Sequence, residues 1–172
     1  IIGTRGSPLA LYQANLVKTL LGHESRIKIF KTSGDKISGD LKDFGGKGLF
    51  TKELEAALIN GDIDLAVHSM KDVPTISQEG LSIEAVLKRE DPRDAFISKK
   101  FELLSQVSTN TVIGTSSLRR KAQILNLMPS VKVIEFRGNV QTRLQKLDEG
   151  IADCTFLAMA GLKRLGLNQL IN

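Results

Sequence analysis

Thr111-Val112-Ile113-Gly114-Thr115-Ser116-Ser117-Leu118-Arg119-Arg120 decides the fold class. An apolar run closed by glycine reads as a buried strand. The leucine-bearing, charged stretch that starts at Ser117 reads as a helix. A strand that passes through a short polar turn straight into a helix is half of a βα unit. The same order recurs in both directions. Strands are expected at 1–4, 26–31, 63–67, 82–87, 95–98, 111–114, 131–136 and 153–157. Helices are expected at 8–21, 49–60, 117–127, 140–149 and 158–165. The first helix has Ser7 as its cap and Pro8 in the position where a missing N–H costs nothing. The pattern predicts an α/β protein with mostly parallel sheets.

Lys88-Arg89-Glu90-Asp91-Pro92-Arg93 interrupts this alternation with charge and a proline. It reads as a hinge at 89–93 between a first lobe, 1–88, and a second, 94–172. Two doubly wound lobes joined by a hinge are expected to leave a cleft between them. The stretch 33–48 carries Gly34, Gly39, Gly45, Gly46 and Gly48. It reads as a mobile loop over a site or as plain surface disorder.

Of the 172 residues, 41% are hydrophobic and 25% charged, which excludes collagen, general disorder and a membrane-spanning chain. The single cysteine, Cys154, excludes a disulfide framework and a cysteine-rich zinc site. The N-terminus has no signal-peptide pattern, so the cytoplasm is the expected compartment. The chain opens at Ile1 without methionine and stops just after an apolar segment, as expected of part of something longer.

The formal net charge is +5, and the window 115–146 alone carries +6: seven cations, Arg119, Arg120, Lys121, Lys132, Arg137, Arg143 and Lys146, face only Glu135. An anionic partner follows. Ligands of α/β sheets bind where strands end and helices begin. Four such turns carry cations or hydroxyls: Thr4-Arg5-Gly6-Ser7, His68-Ser69-Met70-Lys71-Asp72, Thr115-Ser116-Ser117-Leu118-Arg119-Arg120 and Arg137-Gly138-Asn139-Val140 with Arg143 one turn on. Arginines in the first turn of a helix oppose its dipole by about 0.3–1 kcal/mol each. Either a compensating anion resolves the conflict, or the side chains splay into solvent. Asp72 is a lone carboxylate among these cations. It reads as a partner of Lys71 or a turn cap, or as an acid, base or amine-binding group in a positive cleft. His68 and Cys154 read as core residues, and His23 as helix-end decoration. No Walker A, Gly-x-Gly-x-x-Gly or His-Glu-x-x-His pattern is present. No metal is expected. Phe136 alone is aromatic in the basic window, which argues against a stacking platform for nucleic acid.

The sequence resembles the porphobilinogen deaminase (hydroxymethylbilane synthase) family. The resemblance rests on Thr4-Arg5-Gly6-Ser7-Pro8-Leu9-Ala10-Leu11, Gly45-Gly46-Lys47-Gly48-Leu49-Phe50-Thr51-Lys52-Glu53-Leu54-Glu55 and Val67-His68-Ser69-Met70-Lys71-Asp72-Val73-Pro74. It continues through Arg89-Glu90-Asp91-Pro92-Arg93-Asp94-Ala95-Phe96, Gly114-Thr115-Ser116-Ser117-Leu118-Arg119-Arg120, Arg137-Gly138-Asn139-Val140 and Ala160-Gly161-Leu162-Lys163-Arg164-Leu165-Gly166-Leu167. It implies lobes folded like type II periplasmic binding proteins. It implies a cytoplasmic, monomeric transferase that condenses four porphobilinogen molecules into hydroxymethylbilane with release of ammonia. The growing chain would be built on a dipyrromethane cofactor held by a cysteine in a third domain, absent here.

The resemblance assigns Asp72 to the pyrrole nitrogens and to proton transfer. Arg5 and Ser7 would contact the incoming substrate. Lys71, Thr115, Ser116, Ser117, Arg119, Arg120, Arg137 and Arg143 would hold cofactor and product carboxylates, with Gly138 letting the backbone approach them. Lys47 would help cover the site, and Arg164 would be an outer contact. Cys154 does not match the attachment motif. On these terms the 172-residue chain is expected to be inactive alone. The alternative is a non-catalytic α/β module for small polyanions.

Overall fold

A computed structural model describes residues 1–22, 24–36 and 48–172. His23, Lys47 and most of the expected 33–48 loop lie outside the described residues. The chain divides into two compact units, Ile1–Leu87 and Lys88–Asn172.

The first unit is built on a parallel sheet in the order β2-β1-β3, from β1 (Ile2–Arg5), β2 (Ile27–Phe30) and β3 (Leu65–Ala66). Helix α1 (Pro8–Leu21) begins where β1 ends, and Ser7 Oγ accepts from Ala10 N at 3.3 Å, as the sequence predicts. The short α2 (Ser33–Lys36) follows β2, and α3 (Lys52–Ile59) precedes β3. Leu54, Ala57 and Ile63 form the core against α3, with Phe30 and Ala66 packed on them. Buried Thr4 and Ala14 mark the contact with α1, where Thr4 Oγ1 donates to Ala10 O at 3.3 Å.

The second unit holds a mixed sheet in the order β4-β7-β5-β6, from β4 (Asp94–Ser98), β5 (Val112–Gly114), β6 (Lys132–Ile134) and β7 (Cys154–Ala158). Its strands alternate between two apolar layers. Ala95, Ile97 and Leu157 face the layer of Leu147 and Leu162, which α5 (Val140–Asp148) and α6 (Met159–Arg164) supply. Phe96, Ile113 and Cys154 face the layer of Ile124 from α4 (Leu118–Leu127). Helices cover both faces, the doubly wound arrangement.

One expected strand does not form. The stretch 82–87 is not a strand: it makes no ladder, and Ile83, Val86 and Leu87 are exposed. A strand exists only against a partner edge, and none meets it among the described residues. The sheets are mostly parallel, as expected, with one exception in the second unit: β4 runs antiparallel to β7 with Asp94 opposite Ala158. That reversal brings the amino end of β4 to the edge where the other strands end.

Candidate functional sites in the two units

In the first unit, β1 and β3 run side by side in parallel with Gly3 opposite Ala66, so Arg5 and His68 follow at the same end of the sheet. Arg5 is not free. Its Nε donates to Asp35 Oδ2 at 3.3 Å, its Nη2 pairs with Asp35 Oδ1, and its guanidinium lies 4.2 Å from the centre of the Phe50 ring. Beyond His68, a 3-10 turn over Met70–Asp72 carries Lys71 and Asp72, held by Asp72 N to Ser69 O at 2.9 Å. Ser69 Oγ donates to Gln13 Oε1 at 3.1 Å, which fixes the turn to α1. Asp72 is half-buried, and its carboxylate makes no ion pair among the described residues; the Lys71 partnership does not form. Burial holds His68 below the usual histidine range, against the pull of Asp72 and Glu55. His68 thus feels both Asp72 and Arg5.

In the second unit, each residue of the turn after β5 has a defined job. Thr115 N donates to Ile134 O at 3.0 Å, Thr115 Oγ1 accepts from Ser117 N at 3.2 Å, and Ser116 Oγ accepts from Phe136 N at 2.8 Å. Ser117 Oγ caps α4 through Arg120 N at 3.4 Å. Arg119 and Arg120 do not splay into solvent: a compensating anion meets both, and it is an internal one, Asp94. Arg119 Nη2 lies 2.7 Å from Asp94 Oδ2, and Arg120 Nη2 lies 2.6 Å from Asp94 Oδ1. Arg120 Nη1 also donates to Phe156 O at 2.7 Å. Burial works to raise the Asp94 carboxyl, but the two arginines outweigh it and hold it below the ordinary range.

Parallel pairing of β5 and β6 places the next turn alongside. There Gly138 takes φ +117°, and Asn139 Oδ1 caps α5 by accepting from Thr142 N at 2.9 Å. Arg143 Nε donates to Gly138 O at 2.9 Å, Lys146 Nζ donates to Arg137 O at 3.1 Å, and Arg137 Nε lies 3.2 Å from Glu135 Oε2. Arg143 is shifted down, first by burial and then by the charge of Arg120. The turn after β5 therefore sets Arg119 and Arg120 on the carboxylate of Asp94, and Arg143 from the turn after β6 lies near enough to feel Arg120. Arg164 sits in the last turn of α6, where its charge acts on Glu90, and it joins neither turn.

Sequence reasoning missed Asp94, Asp35 and Phe50. Asp94 had a signal, an acid directly before the apolar run 95–98. Asp35 and Phe50 had none, because their roles depend on which loops meet Arg5. Cys154 is fully buried and its thiol is pushed up to about 12 by burial and by Asp153, so it is no nucleophile. Among the described residues no group of three or more His, Cys, Asp or Glu could hold a metal, and no helix is long and apolar enough to cross a membrane.

Fold and site together define a class: α/β proteins whose strand ends carry capped helix starts and clustered guanidinium groups. The chain belongs to the porphobilinogen deaminase family. The family model "Porphobilinogen deaminase, dipyromethane cofactor binding domain" matches residues 1–172. The chain is 54% identical over 174 residues to the porphobilinogen deaminase of Paracoccus denitrificans, covering 96% of this chain and 56% of that protein. It is 57% identical over 179 residues to the chloroplastic porphobilinogen deaminase of Pisum sativum, covering 98% of this chain and 48% of that protein. The chain thus spans about half the length of these curated relatives. Among solved structures, the Bordetella pertussis BvgS periplasmic VFT2 domain matches with TM-score 0.44 and 16% identity, over 88% of this chain and 58% of that one. The P235GK mutant of ArgBP from T. maritima matches with TM-score 0.41 and 16% identity, over 99% of this chain and 73% of that one.

The donor set fits a dipyrromethane bearing several carboxylates. Arg143 has no carboxylate partner among the described residues, and Arg120 Nε is buried without a hydrogen-bond partner. A Cβ on Gly138 would sit 2.6 Å from the Thr142 Cβ, so only glycine lets the backbone take this course.

Proposed function

We propose that this chain supplies the cofactor- and substrate-binding part of a hydroxymethylbilane synthase. That enzyme joins four porphobilinogen molecules head to tail and releases one ammonia per addition. In each addition the C–N bond of the incoming aminomethyl group breaks and a C–C bond to a pyrrole carbon forms. That carbon loses a proton, which leaves with the amine as ammonium. When bound, dipyrromethane supplies the first such pyrrole carbon. Arg119, Arg120, Arg143 and Arg137, with Lys71 and the hydroxyls of Thr115, Ser116 and Ser117, hold carboxylates of cofactor and product. Gly138 lets the backbone approach them. Arg5 and Ser7 contact the incoming substrate. Asp72 accepts a pyrrole N–H, offsets the positive charge that develops as the C–N bond breaks, and carries a proton at its carboxylate. Lys47 and Arg164 belong to the proposal as outer groups. The enzyme is proposed to work as a cytoplasmic monomer on small molecules, without nucleic acid or membrane.

The observation that carries the reading is the half-buried Asp72 carboxylate, without an ion pair among the described residues and, like Arg5, near enough to act on His68. Asp72→Asn in the full-length protein tests it. Turnover is expected to fall by about 100-fold or more. Calorimetric binding of a polycarboxylated linear tetrapyrrole is expected to stay within about twofold. Near-normal turnover would remove the catalytic role, and unchanged tetrapyrrole binding without any turnover in the parent would favour the binding module.

A further inference from the structure

The turn Thr32-Ser33-Gly34-Asp35 is built around Arg5, and the functional reading above leaves it unused. Asp35 Oδ2 accepts from Thr32 N at 3.1 Å, from Thr32 Oγ1 at 2.7 Å and from Arg5 Nε at 3.3 Å, while Oδ1 takes Arg5 Nη2. Thr32 is fully buried, so its hydroxyl is a fixed donor. The turn is anchored twice more. Ser33 N donates to Glu53 Oε1 of α3 at 2.8 Å, and Gly34 N donates to Leu49 O at 2.7 Å. Gly34 is also a steric requirement: a Cβ there would lie 2.5 Å from Cδ1 of Phe50, the ring that stacks on Arg5.

We propose that Asp35, backed by Phe50, is a positioning and specificity-determining residue for Arg5. It locks the guanidinium side-on, so that only the edge formed by Nη1 and the outer N–H of Nη2 faces a ligand carboxylate. This rests on the reading that Arg5 contacts the incoming substrate. A guanidinium has five N–H donors in a rigid plane. Asp35 takes the Nε and Nη2 edge, Phe50 covers a face, and Nη1 has no partner among the described residues. The carboxylate of Asp35 also offsets the charge of Arg5. What remains for the ligand is three aimed N–H donors, two on Nη1 and one on Nη2, with little net charge. Such a group selects a carboxylate presented at a fixed angle over free inorganic anions.

The test uses full-length, cofactor-loaded protein, with KM and kcat for porphobilinogen, inhibition by inorganic phosphate, cofactor loading by mass spectrometry and thermal unfolding. Asp35→Asn is expected to raise KM about tenfold with a smaller change in kcat, the loss of one charge-assisted hydrogen bond. Phosphate inhibition is expected to strengthen, because Arg5 regains its full charge. Cofactor loading is expected to stay intact. In an Arg5→Ala background, Asp35→Asn is expected to add nothing to KM. Phe50→Leu, a gentler change, is expected to raise KM about threefold. If Arg5→Ala raises KM but Asp35→Asn and Phe50→Leu do not, the positioning role is overturned while the reading of Arg5 stands. If Arg5→Ala leaves KM unchanged, the reading of Arg5 itself falls. An Asp35→Asn effect that persists without Arg5, together with weaker phosphate inhibition, would mean a purely structural role and would overturn the proposal.

Discussion

Asp94 shows how one carboxylate resolves a conflict written into the helix start. Two guanidinium groups in the first turn of α4 oppose its dipole, and Asp94 receives both from the neighbouring strand. Removing either arginine leaves Asp94 half satisfied and takes a cation from the turn. Arg119→Ala and Arg120→Ala are each expected to lower cofactor loading in the full-length protein at least severalfold, read by mass spectrometry of the denatured chain. Full loading in both would disconnect this turn from the cofactor. Gly114 is a constraint of another kind. A Cβ there would lie 2.5 Å from Cγ of Phe136, a ring that is 0% exposed and cannot retreat. Gly114→Ala is expected to destabilise the protein by about 1–3 kcal/mol in denaturant unfolding.

At the scale of elements, the βα turns were the most legible part of the chain. Helix α1 spans Pro8–Leu21 as the sequence predicts, because cap, proline and apolar spacing agree. Helices α4 and α5 also lie where the sequence predicts them, with Ser117 and Asn139 as their caps. Ser117→Ala is expected to cost about 1 kcal/mol of stability, measured as a shift in the unfolding midpoint, without displacing the strands. The stretch 82–87 was misread, because its alternation satisfies the local rule for a strand while its pairing depends on an edge that sequence cannot reveal. Antiparallel β4 was missed for the same reason: strand direction is a property of the sheet, not of the five residues Asp94–Ser98.

For the molecule as a whole, the shifted carboxylates make stability depend on pH. In Asp35, Asp94 and Asp153 the hydrogen bonds and charges of basic partners hold the carboxyl below its ordinary 3.8. Each contributes stability that is present above that value and lost as pH falls through the lowered one. His68 acts earlier. Its pKa lies below 6.5 chiefly through burial, so the unfolded chain takes up the proton first and stability declines as pH drops beneath 6.5. The unfolding midpoint is expected to fall in two stages, one below about pH 6.5 and one below about pH 4. His68→Gln is expected to abolish the first stage and leave the second. Persistence of the first stage in that variant would assign it to another group.

The sequence by itself determined the βα alternation, the capped start of α1, the basic window and the motifs that place the chain in its family, because all of these are set by residues near one another in the chain. Tertiary structure alone decided which charges meet. Arg5 finds Asp35 thirty residues away and Arg120 finds Asp94 twenty-six residues away, each across a turn whose course the sheet dictates. Asp72 is left without an ion pair among the described residues although Lys71 adjoins it in sequence. Ion pairing follows distance and orientation in space, and chain neighbours in a tight turn point apart.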